Sequence, residues 1–267
     1  MGNHVIDSIN SILNDVIAAG RIGAAAQKEM RGTDRIEKID GSVVTETDKR
    51  IEDYLFARIA TLYPETNILT EETTRSFDPE QPYTFAIDPI DGTDAFSQGM
   101  ISWCVSVGLL DRTLTPIAGI VYAPRMDLLF FADVGQRATL NGVAIAPPDP
   151  APPLTRASNL MVTSHAHLQF DIRRLPGKIR SIGSAALHLC YPLVYRAVYG
   201  AIENANGHIW DIAGAHGINR SLGFEVELLS GGVVDYAGMV DGGPVGDVIL
   251  AGHRQRIDKM RAIITAV

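Results

Sequence analysis

The sequence is poor in cysteine, which excludes two classes of site. Only Cys104 and Cys190 occur among its 267 residues, each in an apolar stretch. Two thiols cannot build a disulfide framework or a zinc site with four thiolates, and neither lies beside a feature that would lower the pKa of a catalytic thiol. We therefore expect both cysteines to pack in the core.

A surplus of basic residues and a long apolar run are also missing. The formal net charge is −8, which makes a polyanionic nucleic acid an unfavourable partner. No apolar run reaches the roughly 20 residues that a membrane-spanning helix needs, and the first residues do not form a basic and then apolar leader. We expect a soluble cytoplasmic protein that binds neither membranes nor nucleic acid polymers.

The apolar pattern predicts an α+β protein. The 46% hydrophobic and 20% charged residues are those of a globular domain, and the length allows one compact unit with two halves. Spacings of three and four predict a helix from Val5 and a second after Asp48, with Thr47 or Asp48 as its cap and Pro64 at its end. The strands predicted next cover 67–70, 83–87, 105–109, 117–122 and 128–132, with a hairpin turn at 141–142.

A proline-rich stretch at 146–153 predicts the junction between the halves, because proline continues neither a helix nor a central strand. We assign 1–146 to an N-terminal half with most of the acidic motifs and 154–267 to a C-terminal half. Alternating elements in the second half predict an α/β layer. They are strands at 160–163, 224–229 and 248–251 and helices at 184–199, after 210 and at 254–266.

The segment 88–94 carries the strongest chemical signal. It reads Asp-Pro-Ile-Asp-Gly-Thr-Asp and begins where a strand-like run ends. Pro89 fixes the chain direction, Gly92 permits a positive φ, and Thr93 can begin a helix whose free N–H groups face an anion. Carboxylates beside an anion-binding turn predict a cation between them.

Asp88 and Asp91 favour Mg²⁺ as that cation. Two carboxylates about 4 Å apart repel by roughly 1 to 4 kcal/mol, so one of them would take up a proton if no cation were present. Oxygen ligands suit Mg²⁺, whereas zinc usually recruits histidine or cysteine. Alone, the segment is equally typical of a solvated acidic turn. A calcium loop is excluded because the glycine and the closing glutamate are not at the required positions.

Three further motifs lie at the ends of predicted elements. Glutamates at 71–72 follow a strand, the Trp-Asp pair at 210–211 begins a helix, and Thr-Glu-Thr-Asp at 45–48 precedes the second helix. Each alone is typical of a solvated face or a helix cap. Together with 88–94, in this order, they resemble the inositol monophosphatase family of lithium-sensitive, magnesium-dependent phosphatases. The resemblance runs almost from end to end and also includes 141–142, 179–186 and 210–215.

The resemblance implies a layered αβαβα fold and a phosphoric monoester hydrolase with two or three Mg²⁺ ions, often dimeric. In such an enzyme Glu71 and Thr93 would activate the attacking water, with Asp48 supporting Thr93. The amides of Gly92 and Thr93 would bind the phosphate. Lys38 would correspond to a lysine that many relatives carry near this point. The metal ligands implied are Glu71, Asp88, the carbonyl of Ile90, Asp91 and Asp211.

The resemblance also predicts the residues beside the alcohol half of the substrate. Ser184 and Ala185 equally fit a plain helix start, because serine is a favoured N-cap. The sequence departs from the family at Asn204, seven positions before Asp211, where relatives usually carry a glutamate that binds sugar hydroxyls. Glu203 is adjacent and is a candidate replacement. The substrate contacts implied are Asp91, Ser184, Ala185, Glu203, Asn204 and Asp211.

The expected substrate is a small phosphorylated molecule, inositol monophosphate or a related polyol phosphate. Histidinol phosphate, fructose 1,6-bisphosphate and 3′-phosphoadenosine 5′-phosphate stay open as alternatives within the same fold. An alternative of another class is a catalytically silent regulatory protein that keeps the metal cluster. The presence of Glu71 and Thr93 argues against it, because binding alone does not need a water-activating pair.

Overall fold

The structure, a computed structural model, describes residues 5–30, 36–37, 43–73, 75–146 and 153–264. Within them the chain forms six α-helices, four short 3₁₀ helices and strands in three sheets. None of the described helices combines the length and the apolar character needed to cross a bilayer. The α-helices are α1 Leu13–Glu29, α2 Glu46–Leu62, α3 Thr93–Ser97, α4 Ala185–Val194, α5 Ile209–Ser221 and α6 Arg254–Ile263. The 3₁₀ helices are Asn10–Ile12, Ala166–Leu168, Ile172–Arg174 and Tyr236–Met239.

Seven strands between residues 67 and 144 form one sheet, in the order β3-β4-β5-β6-β7-β8-β9. Its first pair is parallel and the others are antiparallel. The Asn141-Gly142 turn joins β8 to β9, with φ of 50° and 78° at its two residues, which confirms the predicted hairpin. The strands are β3 Asn67–Thr70, β4 Tyr83–Asp91, β5 Cys104–Asp111, β6 Pro116–Ala123, β7 Leu128–Ala132, β8 Thr139–Leu140 and β9 Val143–Ala144, and a separate pair is β1 Ile36–Glu37 with β2 Val43–Val44.

Five strands between residues 159 and 252 form another sheet, in the order β11-β10-β12-β14-β13. Strands β11, β10 and β12 are parallel to one another, and β14 is antiparallel to both of its neighbours, β12 and β13. Strand β11 was not predicted, because its three residues are all exposed and only one of them, Ile179, is apolar. The strands are β10 Asn159–Val162, β11 Lys178–Arg180, β12 Val198–Glu203, β13 Glu225–Leu228 and β14 Ile249–Gly252.

Three apolar cores stack these elements into the predicted αβαβα layers. The first lies between helices α1 and α2 and one face of the seven-stranded sheet. The second fills the space between the two sheets around α4 and α5. The third lies between the five-stranded sheet and α6. The α+β class is confirmed, and Cys104 and Cys190 are buried free thiols in the central core.

Helix α5 lies unusually close to the seven-stranded sheet because both surfaces lack side chains at the contact. A Cβ on Gly119 of β6 would come within 2.0 Å of the Gly214 carbonyl oxygen of α5, and a Cβ on Gly214 would come within 2.6 Å of Ser106 Oγ. Only glycine permits this approach. As a result, the first turn of α5 with Asp211 reaches the end of β4.

Several predicted helix boundaries were wrong. The first helix begins at Leu13 after a 3₁₀ turn, not at Val5, although Ile6 and Ile9 are buried as the apolar spacing suggested. The N-cap of α2 is Thr45, not Thr47 or Asp48. Helix α4 ends at Val194, where the chain turns into β12 instead of continuing to 199. Residues 147–152 lie outside the described residues, so the division into halves stays a prediction.

Candidate metal centre and active site

Three aspartates from distant parts of the sequence meet at the end of β4. Asp88, Asp91 and Asp211 each present a carboxylate oxygen within 4.8 Å of the others. In a regular strand, residues three apart point to opposite faces. The β4–β5 pairing is irregular between Asp88 and Asp91, and a local bulge can turn both side chains to one side.

Asp88 is the least satisfied of the three. It is 1% exposed, and among the described residues its Oδ1 is buried without a hydrogen-bond partner. Burial, followed by the charges of Glu71, Asp91 and Asp211, raises the pKa of Asp88 well above its usual value. The ionised carboxylate therefore requires a compensating charge.

Asp91 is equally deep but is held by the N-terminus of α4. Its Oδ2 accepts from Ser184 Oγ at 2.5 Å and from the Ala186 N–H at 2.7 Å, and its Oδ1 accepts from the Ala185 N–H at 3.0 Å. Burial and the charge of Asp211 raise the pKa of Asp91, and these hydrogen bonds limit the rise to about 6. Its direction is thus set by protein donors.

Asp211 belongs to the first turn of α5, where it also completes a capping box. Its Oδ2 accepts from the His208 N–H at 2.6 Å, and the same oxygen lies 3.7 Å from His208 Nδ1. The His208 ring stacks on Trp210, with the planes 8° apart. With 22% of its side chain exposed, Asp211 is the most accessible acid of the cluster.

Thr93 and Asp48 are brought together as the sequence suggested. The Thr93 hydroxyl lies 3.2 Å from Asp48 Oδ1 and 2.8 Å from the Ile90 carbonyl oxygen. Asp48 Oδ2 accepts from both the N–H and the hydroxyl of Thr45. Burial outweighs these hydrogen bonds and raises the pKa of Asp48 to about 6. Glu71 follows β3 and lies close enough for its charge to raise the pKa of Asp88.

Gly92 makes the turn between the acidic strand and α3. Its φ is +96° and it is the N-cap residue of α3, which begins at Thr93 as predicted. A Cβ on Gly92 would lie 2.9 Å from the Gly183 carbonyl oxygen. Both the conformation and the space therefore require glycine.

The predicted substrate contacts divide into two groups. Ser184 and Ala185 lie at the start of α4 and bind Asp91, which places them beside the cluster. Asn204 donates to Thr163 Oγ1 at 3.0 Å and accepts from the Asn206 N–H at 2.8 Å. Glu203 is 5% exposed, and its contact is with the His188 ring instead of an open cleft.

Sequence reasoning missed two buried polar residues near the site. Glu52 is 1% exposed and accepts the Glu72 N–H at 2.8 Å, so it supports the turn that carries Glu71. An acid four positions after Asp48, next to the apolar stripe of α2, was the available signal. His188 bonds Glu203 at 2.5 Å and carries no signal in one sequence. Lys38 lies outside the described residues.

The donor set fits a hard divalent cation. The three clustered side chains offer oxygen only, which suits Mg²⁺ better than zinc. The orphaned Oδ1 of Asp88 has the buried, unpaired lone pairs that a cation would satisfy. The Ile90 carbonyl oxygen also belongs to strand β4 and accepts a hydrogen bond from Thr93 Oγ1 at 2.8 Å.

Comparisons with known proteins agree with this geometry. A sequence model described as "Inositol monophosphatase family" matches residues 9–265. Inositol monophosphatase 1 of Solanum lycopersicum is 33% identical over 225 residues, which cover 78% of this chain and 80% of the relative.

Solved structures share the fold. The extragenic suppressor protein suhB of Bartonella henselae aligns over 96% of this chain and 97% of its own, with a TM-score of 0.80 and 24% identity. Inositol monophosphatase-II of Staphylococcus aureus aligns over 92% of this chain and 88% of its own, with a TM-score of 0.73 and 23% identity. SaIMPase-II structures hold inositol monophosphate or 2′AMP.

Proposed function

The chain belongs to the inositol monophosphatase family, and we propose that it hydrolyses inositol monophosphate or a related polyol phosphate with Mg²⁺ as its cofactor. It is a phosphoric monoester hydrolase by membership of the family. The polyol substrate and the metal are our proposal. The observation that carries it is the cluster of Asp88, Asp91 and Asp211, in which one buried carboxylate oxygen has no partner among the described residues.

In this proposal the cluster and its neighbours would hold two or three Mg²⁺ ions. When bound, the ions would lower the pKa of a water molecule and stabilise the negative charge of the leaving alkoxide. The carboxylates would set the positions of the ions, and the repulsion among the carboxylates would be relieved. The residues that would hold the ions are Glu71, Asp88, the carbonyl of Ile90, Asp91 and Asp211.

Thr93, Asp48 and Glu71 orient the attacking water. The single hydroxyl hydrogen of Thr93 faces Asp48 and the Ile90 carbonyl, so its oxygen lone pairs remain available to accept a hydrogen bond from water. Asp48 is in turn fixed by Thr45. Glu71 accepts the proton that the water releases as its oxygen bonds to phosphorus and the bond from phosphorus to the alcohol oxygen breaks in line.

The phosphate and the alcohol are bound by different elements. The amides of Gly92 and Thr93 bind phosphate oxygens, because the first N–H groups of a helix have no acceptor within it. Ala185 and Asn204 line the alcohol side, together with Asp91 and Asp211, and the buried Ser184 contributes through its hydrogen bond to Asp91. A homodimer and a cytoplasmic location stay predictions.

A phosphate-release assay over individual substrates tests the proposal. The panel contains inositol monophosphate, histidinol phosphate, fructose 1,6-bisphosphate, 3′-phosphoadenosine 5′-phosphate and 2′AMP, each with Mg²⁺ and again with EDTA or Li⁺. We expect the highest kcat/KM for inositol monophosphate and loss of activity with either additive. A higher kcat/KM for another substrate would contradict the polyol assignment, and full activity in EDTA would contradict the metal.

A pair of variants separates catalysis from folding in the same assay. Asp91→Asn removes a ligand of the cluster and should abolish turnover while the protein stays folded. Asp258→Asn changes an aspartate whose side chain is 56% exposed on α6, far from the cluster in the layer order, and should leave kcat/KM unchanged. No turnover by the folded parent on any substrate would favour the catalytically silent alternative.

A further inference from the structure

His188 and Glu203 form a buried polar pair that no step of hydrolysis uses. The His188 ring is 2% exposed and Glu203 is 5% exposed, and His188 Nδ1 lies 2.5 Å from Glu203 Oε1. Burying a carboxylate is unfavourable unless hydrogen bonds and a charged or polar partner compensate. A buried polar pair beside an active site is therefore a candidate for a functional role.

The other nitrogen of the ring fixes its protonation. His188 Nε2 accepts the Ile182 N–H at 2.9 Å, so Nε2 carries no proton. The geometry therefore places the ring proton on Nδ1, from which it is donated to the Glu203 carboxylate. Glu203 selects the one tautomer that can accept the Ile182 N–H, just as carboxylates orient histidines around metal sites.

The turn that begins at Ile182 is fixed by hydrogen bonds from two distant parts of the chain. The Ile182 N–H donates to His188 of α4, and the Ile182 carbonyl accepts from Ser102 Oγ, shortly before β5, at 2.6 Å. Gly183 follows with φ of +87°, and its carbonyl is the group against which Gly92 packs. The position of this turn therefore depends on three fixed contacts.

The turn delivers the donors that hold Asp91. Ser184 is the N-cap of α4, accepts the Leu187 N–H at 3.2 Å and donates to Asp91 at 2.5 Å. The Ala185 and Ala186 N–H groups complete the set. A shift of residues 182–184 would move all of these donors together.

We propose that His188 and Glu203 are positioning residues for Asp91, which they hold in its binding orientation through the turn at 182–184. The inference rests on the proposed function of Asp91 as a ligand of Mg²⁺. It gives Glu203 a role in the protein interior instead of the substrate contact predicted from sequence. It requires no contact between this pair and substrate.

The test combines Mg²⁺ affinity, measured by calorimetric titration without substrate, with kcat/KM. His188→Leu removes both ring hydrogen bonds, and we expect both affinity and kcat/KM to fall by about 10- to 100-fold, as for other residues that orient metal ligands. His188→Gln offers an amide oxygen to the Ile182 N–H, and should recover most of the affinity. Unchanged Mg²⁺ affinity in folded His188→Leu would overturn the proposal.

A matched control comes from a second buried histidine. His216 Nδ1 bonds Tyr236 Oη at 2.9 Å in the central core, away from the turn at 182–184. His216→Leu should lower Tm as His188→Leu does, yet leave the Mg²⁺ affinity intact. An equal loss of affinity in His216→Leu would overturn the proposal, because general loosening would then explain both.

Glu203→Met covers the case in which His188→Leu does not fold. It keeps the approximate size of the side chain but offers no acceptor to the His188 Nδ1–H, so Mg²⁺ affinity should fall, and an unchanged affinity would overturn the proposal. The calorimetric readout also separates this inference from the proposed reaction. If the parent protein binds Mg²⁺ but hydrolyses none of the substrates, the positioning role is still tested by the affinities of the variants.

Discussion

Asp88 and Asp91 are three residues apart on one strand and almost equally buried, yet their surroundings are opposite. Asp88 has neighbouring negative charges and an oxygen without a partner among the described residues. Asp91 accepts three hydrogen bonds from the start of α4. The Asp88 side of the site is thus unfavourable without a cation, whereas the Asp91 side is already oriented. A bound cation would relieve the repulsion at Asp88, and it would bind Asp91 without having to reorient that side chain.

Asp88→Asn removes the carboxylate that most needs a cation, and it should have the largest effect on kcat/KM. Loss of this ligand removes charge stabilisation of several kcal/mol in the transition state, so kcat/KM should fall by about 10²- to 10³-fold or more. The metal-free protein should become more stable, because a neutral amide relieves the repulsion. Kinetics with Mg²⁺ and thermal unfolding in EDTA measure the two effects. A lower Tm in EDTA would contradict the account of Asp88.

Asp91→Asn sharpens the comparison, because the same substitution should act differently there. Turnover should again be lost, but the Ala185 and Ala186 N–H groups bind different oxygens of Asp91, and the NH₂ group of asparagine replaces one of these two acceptors with a donor. An unsatisfied buried N–H costs about 1–3 kcal/mol, so metal-free Asp91→Asn should be less stable than metal-free Asp88→Asn. Denaturant unfolding of both variants in EDTA gives this difference directly. Equal stability would mean that α4 does not hold Asp91.

The pH dependence of the metal-free protein tests the electrostatic part. Burial raises the pKa of Asp48 to about 6, above its unfolded value of 3.8, so the folded state binds more protons between these values. The free energy of unfolding should therefore fall as the pH rises from about 4 to about 7, by about 1–3 kcal/mol.

The matching control is Asp48→Asn, which should reduce that pH dependence and leave the part that Asp88 and Asp91 contribute. Mg²⁺ at pH 7.5 should raise Tm, since it binds the folded state alone. A free energy of unfolding that increases from pH 5 to pH 7 in EDTA, in the parent protein, would contradict the assigned pKa direction.

Thr45→Ala should have the smallest effect of the series. It removes the N-cap side chain of α2, worth about 1 kcal/mol, and the hydroxyl that donates to Asp48 Oδ2. We expect a Tm lower by a few degrees and a modest decrease of kcat. Thr61→Ala on the same helix, where the hydroxyl bonds the Ala57 carbonyl, serves as the control and should leave kcat unchanged.

The sequence predicted the acidic cluster because its parts lie at the ends of recognisable elements. Asp88 and Asp91 end a long apolar strand, and Asp211 lies in the first turn of a helix, directly after an aromatic residue. Apolar spacing also predicted the buried faces, including Ile51 and Leu55 of α2. The order of motifs, more than any one of them, indicated that they converge.

Other features depended on tertiary contacts that spacing does not encode. The His188–Glu203 pair joins α4 to β12, and no local pattern links these two residues. The cap at Thr45 is an exception, because Thr45 and Asp48 have the local spacing of a capping box. It was missed because Thr47 and Asp48 are also favoured N-cap residues. Strand β11 is exposed and has no apolar face, so only its pairing with β10 defines it.

An anomalous diffraction experiment on crystals grown with Mn²⁺ in place of Mg²⁺ tests the central claim most directly. The account predicts an anomalous peak within coordination distance of carboxylate oxygens from Asp88, Asp91 and Asp211, and loss of that peak in Asp88→Asn. Strong Mn²⁺ peaks elsewhere, with none among these three side chains, would contradict it.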